Sequence, residues 1–233
     1  ETHSDNMFQL TPSATAVDSI QYDNAFRMCF SDPNQGSASA DYIAENKLAT
    51  KVAIIYNSSD TYSSGIYQTF ATEAKAKGLD VVAAEAFTAD NKTDFSVQIQ
   101  KAKDAGAELV FLPIYYQEAS LILAQANKAG FTPKWFGCDG MDGILDLDGF
   151  DANLAENLMF LTPFTANATD EATQKFVADY KEAFGDTPIQ FAADAYDCVY
   201  VIKAAAEKED VTPDKSVSDI CDALKKGMTE ITY

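Results

Sequence analysis

The feature that most constrains the fold is a set of short apolar runs at nearly constant spacing. Lys51–Asn57 (KVAIIYN), Asp80–Phe87 (DVVAAEAF), residues 108–114 (ELVFLPI) and Lys134–Gly137 (KWFG) begin 29, 28 and 26 residues apart. Each run is β-branched or aromatic and is bounded by polar residues or glycine, as buried strands are. Helical patterns lie between them. Residues 64–77 place Ile66, Phe70 and Ala74 at steps of four before Gly78, and residues 94–105 place Phe95, Ile99 and Ala102 on one face. Residues 117–129 place Leu121, Ala124 and Lys128 near helical spacing before Gly130. An earlier helix opens at SDPNQG, with Asp32 as its expected cap and Pro33 at its first position. A repeat of this length is one strand plus one helix. Strands joined through helices run parallel, and the helices cover both faces of the sheet. The expected fold class is α/β, with residues 38 to about 164 as one such domain.

The flanks break this rhythm. Residues 7–10 and 26–30 read as isolated strands before the array, and residues 158–163 (LMFLTP) as another after it. Three helices without strands follow, over residues 170–184, 191–207 and 215–226. The first steps Phe176, Tyr180 and Phe184 by four. The second carries an apolar stripe of Ala192, Ala195, Val199, Ile202 and Ala206. These helices need a sheet to cover, which is either small and built from the flanking strands or absent from this chain.

Charge removes several function classes. The formal net charge of −19 repels phosphate backbones and anionic lipid surfaces, so no nucleic-acid partner and no membrane docking are expected. No run of about 18 apolar residues reads as a membrane span. The chain opens at Glu1 in polar sequence, with no leader-like segment and no initiating Met, so the expectation is a processed or truncated product. Cys29, Cys138, Cys198 and Cys221 form no C-x-x-C, which removes zinc-knuckle and thioredoxin readings. They read as small buried apolar residues, with a Cys198–Cys221 bridge as the lesser alternative.

In open parallel sheets, ligands bind beyond the carboxyl ends of the strands. Those ends carry Tyr62 in SSDTYSSG, Thr88, the pair Tyr115–Tyr116, and Asp139. Singly, each reads as packing or as a solvated loop residue. Together, aromatic walls and one carboxylate suit a small ligand with a cation and an apolar body. Enzyme templates fail. The chain has no Walker loop, no dinucleotide fingerprint and no G-x-S-x-G, and its one histidine, His3, lies near the N-terminus. No enzyme activity, no catalytic residue, no metal and no cofactor are therefore expected. The acidic run GCDGMDGILDLDGFD, residues 137–151, invites a calcium reading. EF-hand registers on Gly143 or Gly149 put Cys138 or Ile144 at position 1 and Gly149 or Ala155 at position 12, so both fail. Asp139 is the member placed at a strand end, Gly137 and Gly140 are expected to let the backbone turn there, and Asp146, Asp148 and Asp151 read as a solvated turn.

Seven segments in order carry a resemblance: LTPSAT, FRMCFSDPNQG, KVAIIY with YSSG, DFSVQIQKAK, ELVFLPIYYQEA, AGFTPKWFGCDG and FAADAYDCVY. Through nearly its whole length the chain resembles the type I periplasmic binding proteins of the leucine/isoleucine/valine-binding family, the soluble receptors of branched-chain amino acid ABC transporters. That resemblance implies two αβ lobes joined by three crossing strands, with ligand held between the lobes. Residues 32–163 then correspond to a complete second lobe, with residues 1–31 and 164–233 as parts of an incomplete first lobe. It implies an extracytoplasmic protein, periplasmic or lipid-anchored at the cell surface, that hands an apolar amino acid to a membrane permease. An amino-acid or amide sensor on the same fold is the second reading. By resemblance the Ser13–Ala14 backbone and Thr15 hold the head group, with the Thr15 N–H for the carboxylate and its hydroxyl for the ammonium. Tyr62 and Tyr115 close over the ligand, Asp139 receives the ammonium, and Phe191 lines the pocket. Well-known leucine-binding members carry Glu at the Asp139 position, so this carboxylate is one methylene shorter.

Overall fold

The computed structural model describes residues 1–232. The chain forms two compact units, Ser31–Pro163 and, drawn from both flanks, Glu1–Phe30 with Phe164–Tyr233.

The unit Ser31–Pro163 contains α1 (Asp32–Glu45), β3 (Lys51–Asn57), α2 (Thr61–Ala76), β4 (Asp80–Phe87), α3 (Ser96–Asp104), β5 (Leu109–Leu112), α4 (Tyr116–Lys128), β6 (Lys134–Gly137) and β7 (Leu158–Phe160). Its five strands form one all-parallel sheet in the order β4-β3-β5-β6-β7. The run over residues 158–163 is thus the fifth strand of this sheet rather than an isolated one, pairing Trp135 with Leu158 and Gly137 with Phe160.

Side-chain alternation divides the core between the two faces. On one face Val52, Ile54, Leu109, Phe111 and Phe136 meet Ala40 and Ile43 of α1 and Ile66, Phe70 and Ala74 of α2. On the other, Ala53, Ile55, Val110, Leu112 and Trp135 meet Ile99 and Ala102 of α3 and Ala119, Ile122, Leu123 and Ala126 of α4. A side chain such as Phe70 or Ile54, fully withdrawn from water, contributes about 1.5–3 kcal/mol. The buried face of α4 differs from the one read in the sequence. Leu121, Ala124 and Lys128 are exposed, because 119, 122, 123 and 126 follow the i, i+3, i+4, i+7 stripe of a 3.6-residue helix more closely.

The start of α1 also differs from expectation. Ser31, in extended conformation, is the cap and accepts the Asn34 N–H at 3.4 Å, while Pro33 occupies the second helical position, where an N–H has no partner within the helix. Asp32 is therefore released from capping, and its buried side chain lies against Gly65, at about van der Waals distance from where a Cβ there would sit. Helices α1 and α2 approach so closely that a Cβ on Gly36 would fall 2.0 Å from Thr69 Oγ1 and 2.6 Å from the Ile66 carbonyl.

The other unit holds β1 (Gln9–Thr11) and β2 (Ala25–Arg27), paired in parallel with Leu10 opposite Phe26, and α5 (Glu171–Phe184), α6 (Gln190–Lys208) and α7 (Val217–Glu230). Both strands are shorter than the runs read from the sequence. Asp170 and Ser216 cap α5 and α7 by accepting the Thr173 and Asp219 N–H groups at 2.8 and 3.1 Å. Helices α6 and α7 meet at Gly227, where a Cβ would lie 2.7 Å from the Ala205 carbonyl. The face of α6 turned inward is Ala193, Cys198, Val201 and Ala205. Of the apolar stripe read from the sequence, Ala192, Ile202 and Ala206 are half-buried, Ala195 is exposed and Val199 is 64% exposed. Cys198 and Cys221 are buried free thiols, so the bridge between them does not form.

Replacing Gly36 with alanine is expected to force α1 and α2 apart and to cost roughly 1–3 kcal/mol, the usual range for overpacking. Urea unfolding of the variant checks this, and a midpoint equal to wild type would contradict the closeness of that crossing.

Candidate functional site

The sheet order creates a switch point. From β3 the chain passes to β4 on one side, then crosses back to β5 on the other, leaving a crevice at the carboxyl ends of β3 and β5. The residues after those two ends are Tyr62 and Tyr115. At the end of β3, Asp60 caps α2 by accepting the Ser63 N–H at 3.4 Å, and the buried Ser63 hydroxyl accepts the Asn57 N–H at 2.8 Å. This ties strand end to helix start and turns Tyr62 inward, to 6% exposure. Tyr115, the residue before α4, remains 44% exposed. The two rings stack with centroids 4.8 Å apart and planes at 23°, an arrangement worth about 0.5–1.5 kcal/mol beyond its burial.

Asp139 opens a 3-10 turn, Asp139–Met141, directly after β6 and Cys138, and is 4% exposed. The Tyr62 hydroxyl donates to Asp139 Oδ1 at 2.7 Å and accepts the Gly140 N–H at 3.0 Å. Gln35 Oε1, from α1, accepts the Asp139 N–H at 3.0 Å. The glycines serve a purpose other than turning. Neither Gly137 nor Gly140 has a positive φ. A Cβ on Gly140 would fall 2.8 Å from the Tyr62 hydroxyl and 2.9 Å from the Ile114 carbonyl, and one on Gly137 would collide with Met141. Their small size lets the turn close onto Tyr62 and Tyr115. Of the remaining carboxylates in the acidic run, Asp146, Asp148 and Asp151 are exposed.

The electrostatics follow from this burial. Desolvation raises the Asp139 pKa, opposed by hydrogen bonds from Tyr62, Gln35 and the Gly140 backbone. Burial also pushes the Tyr62 hydroxyl well up, with Cys138 and Asp139 adding to it. Tyr115 is pushed up to about 12, by burial first and then by Asp60, Asp139, Asp32 and Glu118. Both phenols are therefore neutral donors at physiological pH. Two of these carboxylates have structural duties: Asp60 is a cap, and Glu118 pairs with Lys92 at 3.2 Å. What remains at the crevice is two buried carboxylates, Asp139 and Asp32, beside two aromatic rings, an environment that favours a compact cation with hydrogen-bond donors. Among the described residues no cluster of three His, Cys, Asp or Glu is placed to hold a metal.

In the other unit, the loop after β1 carries Ser13, Ala14 and Thr15. Thr15 is 4% exposed, and its carbonyl accepts Arg27 Nη1 at 2.7 Å. The Ala14 N–H donates to Thr11 Oγ1 at 3.1 Å, and the Ala14 carbonyl accepts the Ser19 hydroxyl at 2.9 Å. Phe191 is half-buried, one residue inside the start of α6. The sequence reading missed Gln35. The available signal was the set Asp32, Gln35 and Ser39, spaced as one helix face that also leads to Ala40 and Ile43; polar residues on a helix otherwise read as its wet side.

An open, doubly wound parallel sheet with a buried carboxylate and two aromatic rings at its switch point places the chain in the α/β class whose ligand crevices lie at that edge. The family model described as periplasmic binding protein matches residues 2–233, and the chain belongs to that family. It is 29% identical over 226 residues to the Leu/Ile/Val-binding protein homolog 3 of Brucella melitensis, covering 95% of this chain and 59% of the relative. It is 28% identical over 229 residues to the leucine-, isoleucine-, valine-, threonine- and alanine-binding protein of Pseudomonas aeruginosa, covering 97% and 59%. Among solved structures, the branched-chain amino acid transporter substrate binding protein of Streptococcus pneumoniae, in complex with isoleucine, superposes with a TM-score of 0.84 at 28% identity, covering 96% of this chain and 62% of the other. The leucine binding protein of Thermotoga maritima gives 0.84 at 26% identity, with 97% and 63% covered. The chain thus spans about three fifths of the length of the relatives it matches.

A carboxylate whose folded pKa is raised adds no cost below its unfolded pKa and destabilises progressively as the pH rises through the folded value. Asp139→Asn keeps the acceptor for Tyr62 and removes that charge. It is therefore expected to raise the melting temperature of the ligand-free protein at about pH 7, with a smaller gain at about pH 4. Melts followed by circular dichroism at the two pH values test this, and equal gains at both would contradict a raised Asp139 pKa.

Proposed function

We propose that the protein is the extracytoplasmic substrate-binding component of an ABC transporter, taking a branched-chain or similar apolar amino acid and passing it to a membrane permease. The observation that carries this is the buried Asp139 carboxylate, oriented by Tyr62 beside the Tyr62–Tyr115 stack at the switch point of a periplasmic binding fold. An α-ammonium brings three donors and a positive charge to that carboxylate. Stripping water from it is tolerable only where a directed charged partner replaces the lost hydration. The rings supply an apolar wall without adding charge.

In the other unit, the family resemblance assigns ligand contacts to Thr15, through its N–H and hydroxyl, to the Ser13–Ala14 backbone and to Phe191. Within this loop the Ala14 N–H and the Ala14 and Thr15 carbonyls have internal partners, so Thr15's N–H and hydroxyl are the groups assigned to the ligand. The role is capture and release without bond chemistry. A relative named as a branched-chain amino acid transporter substrate binding protein, in complex with isoleucine, favours it over a sensor on the same fold.

A thermal-shift screen of the protein against amino acids and small carboxylates tests the reading. Leucine, isoleucine or valine at 100 times its Kd is expected to add about 2.7 kcal/mol of stability; no shift with any apolar amino acid removes this ligand class. Asp139→Ala is expected to cost about 2–5 kcal/mol of binding, as truncating one member of a buried charged pair does. Near-normal affinity by calorimetry would remove Asp139 from the site.

A further inference from the structure

The buried face of α1 carries a polar stripe that ligand contact alone does not use. Asp32, Gln35 and Ser39 lie at positions i, i+3 and i+7, and all three are buried. Gln35 is 1% exposed, and its Oε1 accepts the Asp139 N–H at 3.0 Å. One turn further on, Ser39 Oγ lies 3.8 Å from the Cys138 sulfur. The amide nitrogen of Gln35 is buried and makes no well-formed hydrogen bond to a described residue. Gln35 lowers the Asp139 pKa against the burial that raises it. A buried amide with one half poorly satisfied is a cost to the fold. A helix face that needed only packing would carry leucine or methionine here.

Gln35 stands on a fixed platform. The residue after it, Gly36, sits in the closest part of the α1–α2 crossing, and α2 begins with Thr61 and Tyr62. The two side chains that address Asp139 therefore come from two helices locked together. A glutamine suits the place because its amide oxygen accepts from a backbone N–H while its amide nitrogen brings a donor, and no negative charge, to the side of a carboxylate. An ionised glutamate can only accept, and a lysine can only donate.

We infer that Gln35 is a positioning residue for Asp139, pinning its main chain through the Asp139 N–H, and so helps set ligand affinity without touching the ligand. The affinity part rests on the reading of Asp139 as the ammonium partner; the positioning part does not. The titratable groups around the carboxylate are Tyr62 of α2, Cys138 of the β6 end and Gln35's neighbour Asp32 of α1, with Tyr115 before α4.

Two variants separate the possibilities. Gln35→Met keeps the length and removes the amide; Gln35→Glu keeps an acceptor, loses the donor and adds charge. The Asp139 carboxyl is titrated by carbon-detected NMR in the ligand-free protein, and affinities for leucine, isoleucine and valine are measured by calorimetry, with melting curves to confirm folding. Both variants are expected to raise the Asp139 pKa, Gln35→Glu by more. Gln35→Met is expected to weaken binding roughly three- to tenfold, as losing one hydrogen-bonding partner does, and Gln35→Glu to weaken it further. An unchanged Asp139 titration in folded Gln35→Glu overturns the inference. A shifted titration with wild-type affinity overturns its functional half. If the wild type binds none of the three amino acids while the titration still shifts, the positioning stands and the ligand reading alone fails.

Discussion

A parallel sheet presents apolar side chains on both faces, and both have to be covered. In the unit Ser31–Pro163 this requirement accounts for most of what is present. Val52 and Ile54 point one way from β3 while Ala53 and Ile55 point the other, so one strand serves two cores. Two pairs of helices are needed, each helix must return the chain to the start of the next strand, and every strand end therefore falls on the same edge. The crevice at that edge, where β3 and β5 part company with successive connections, is a by-product of the winding order. Tyr62, Tyr115 and Asp139 meet there because each follows a strand end, although 77 residues separate the partners of the hydrogen bond between Tyr62 and Asp139.

Within that crevice the fold accepts a local cost. A carboxylate kept from water is stabilised only in part by one phenol, one backbone N–H pattern and an imperfectly placed amide. Small residues make the arrangement possible: Gly140 admits the Tyr62 hydroxyl and the Ile114 carbonyl, and Gly36 admits the backbone of α2. Close approach and preorganisation are thus linked. The residues that let helices and turns pack tightly are the ones that hold the carboxylate in place, and in the proposed role that lowers the ordering cost of binding.

The unit formed from the two flanks is organised differently. Its sheet has two strands of three residues each, and on α6 Ala193, Cys198, Val201 and Ala205 face in while Val199 and Ala195 are exposed. The stripe read from the sequence, Ala192, Ala195, Val199, Ile202 and Ala206, is a second apolar face, half-buried at Ala192, Ile202 and Ala206. Helix α6 is apolar on more than one side, and periodicity cannot say which side is inner when both qualify.

The sequence by itself determined the α/β class, the parallel direction of the strands and the strand-end positions of Tyr62, Tyr115 and Asp139. These depend on local spacing: runs of four to eight apolar residues at a period of one strand plus one helix have few other solutions. Tertiary structure alone decided that residues 158–160 join the sheet, that Ser31 rather than Asp32 caps α1, which stripe of α4 is buried, and that Gly137 and Gly140 are small for contact rather than for turning. Above all it decided that Gln35 belongs with Asp139. The two are 104 residues apart, and nothing in a stretch of polar helix reveals which distant backbone N–H it will meet. Spacing along the chain encodes what a segment can become; partners across the chain are set only when both faces of the sheet are closed.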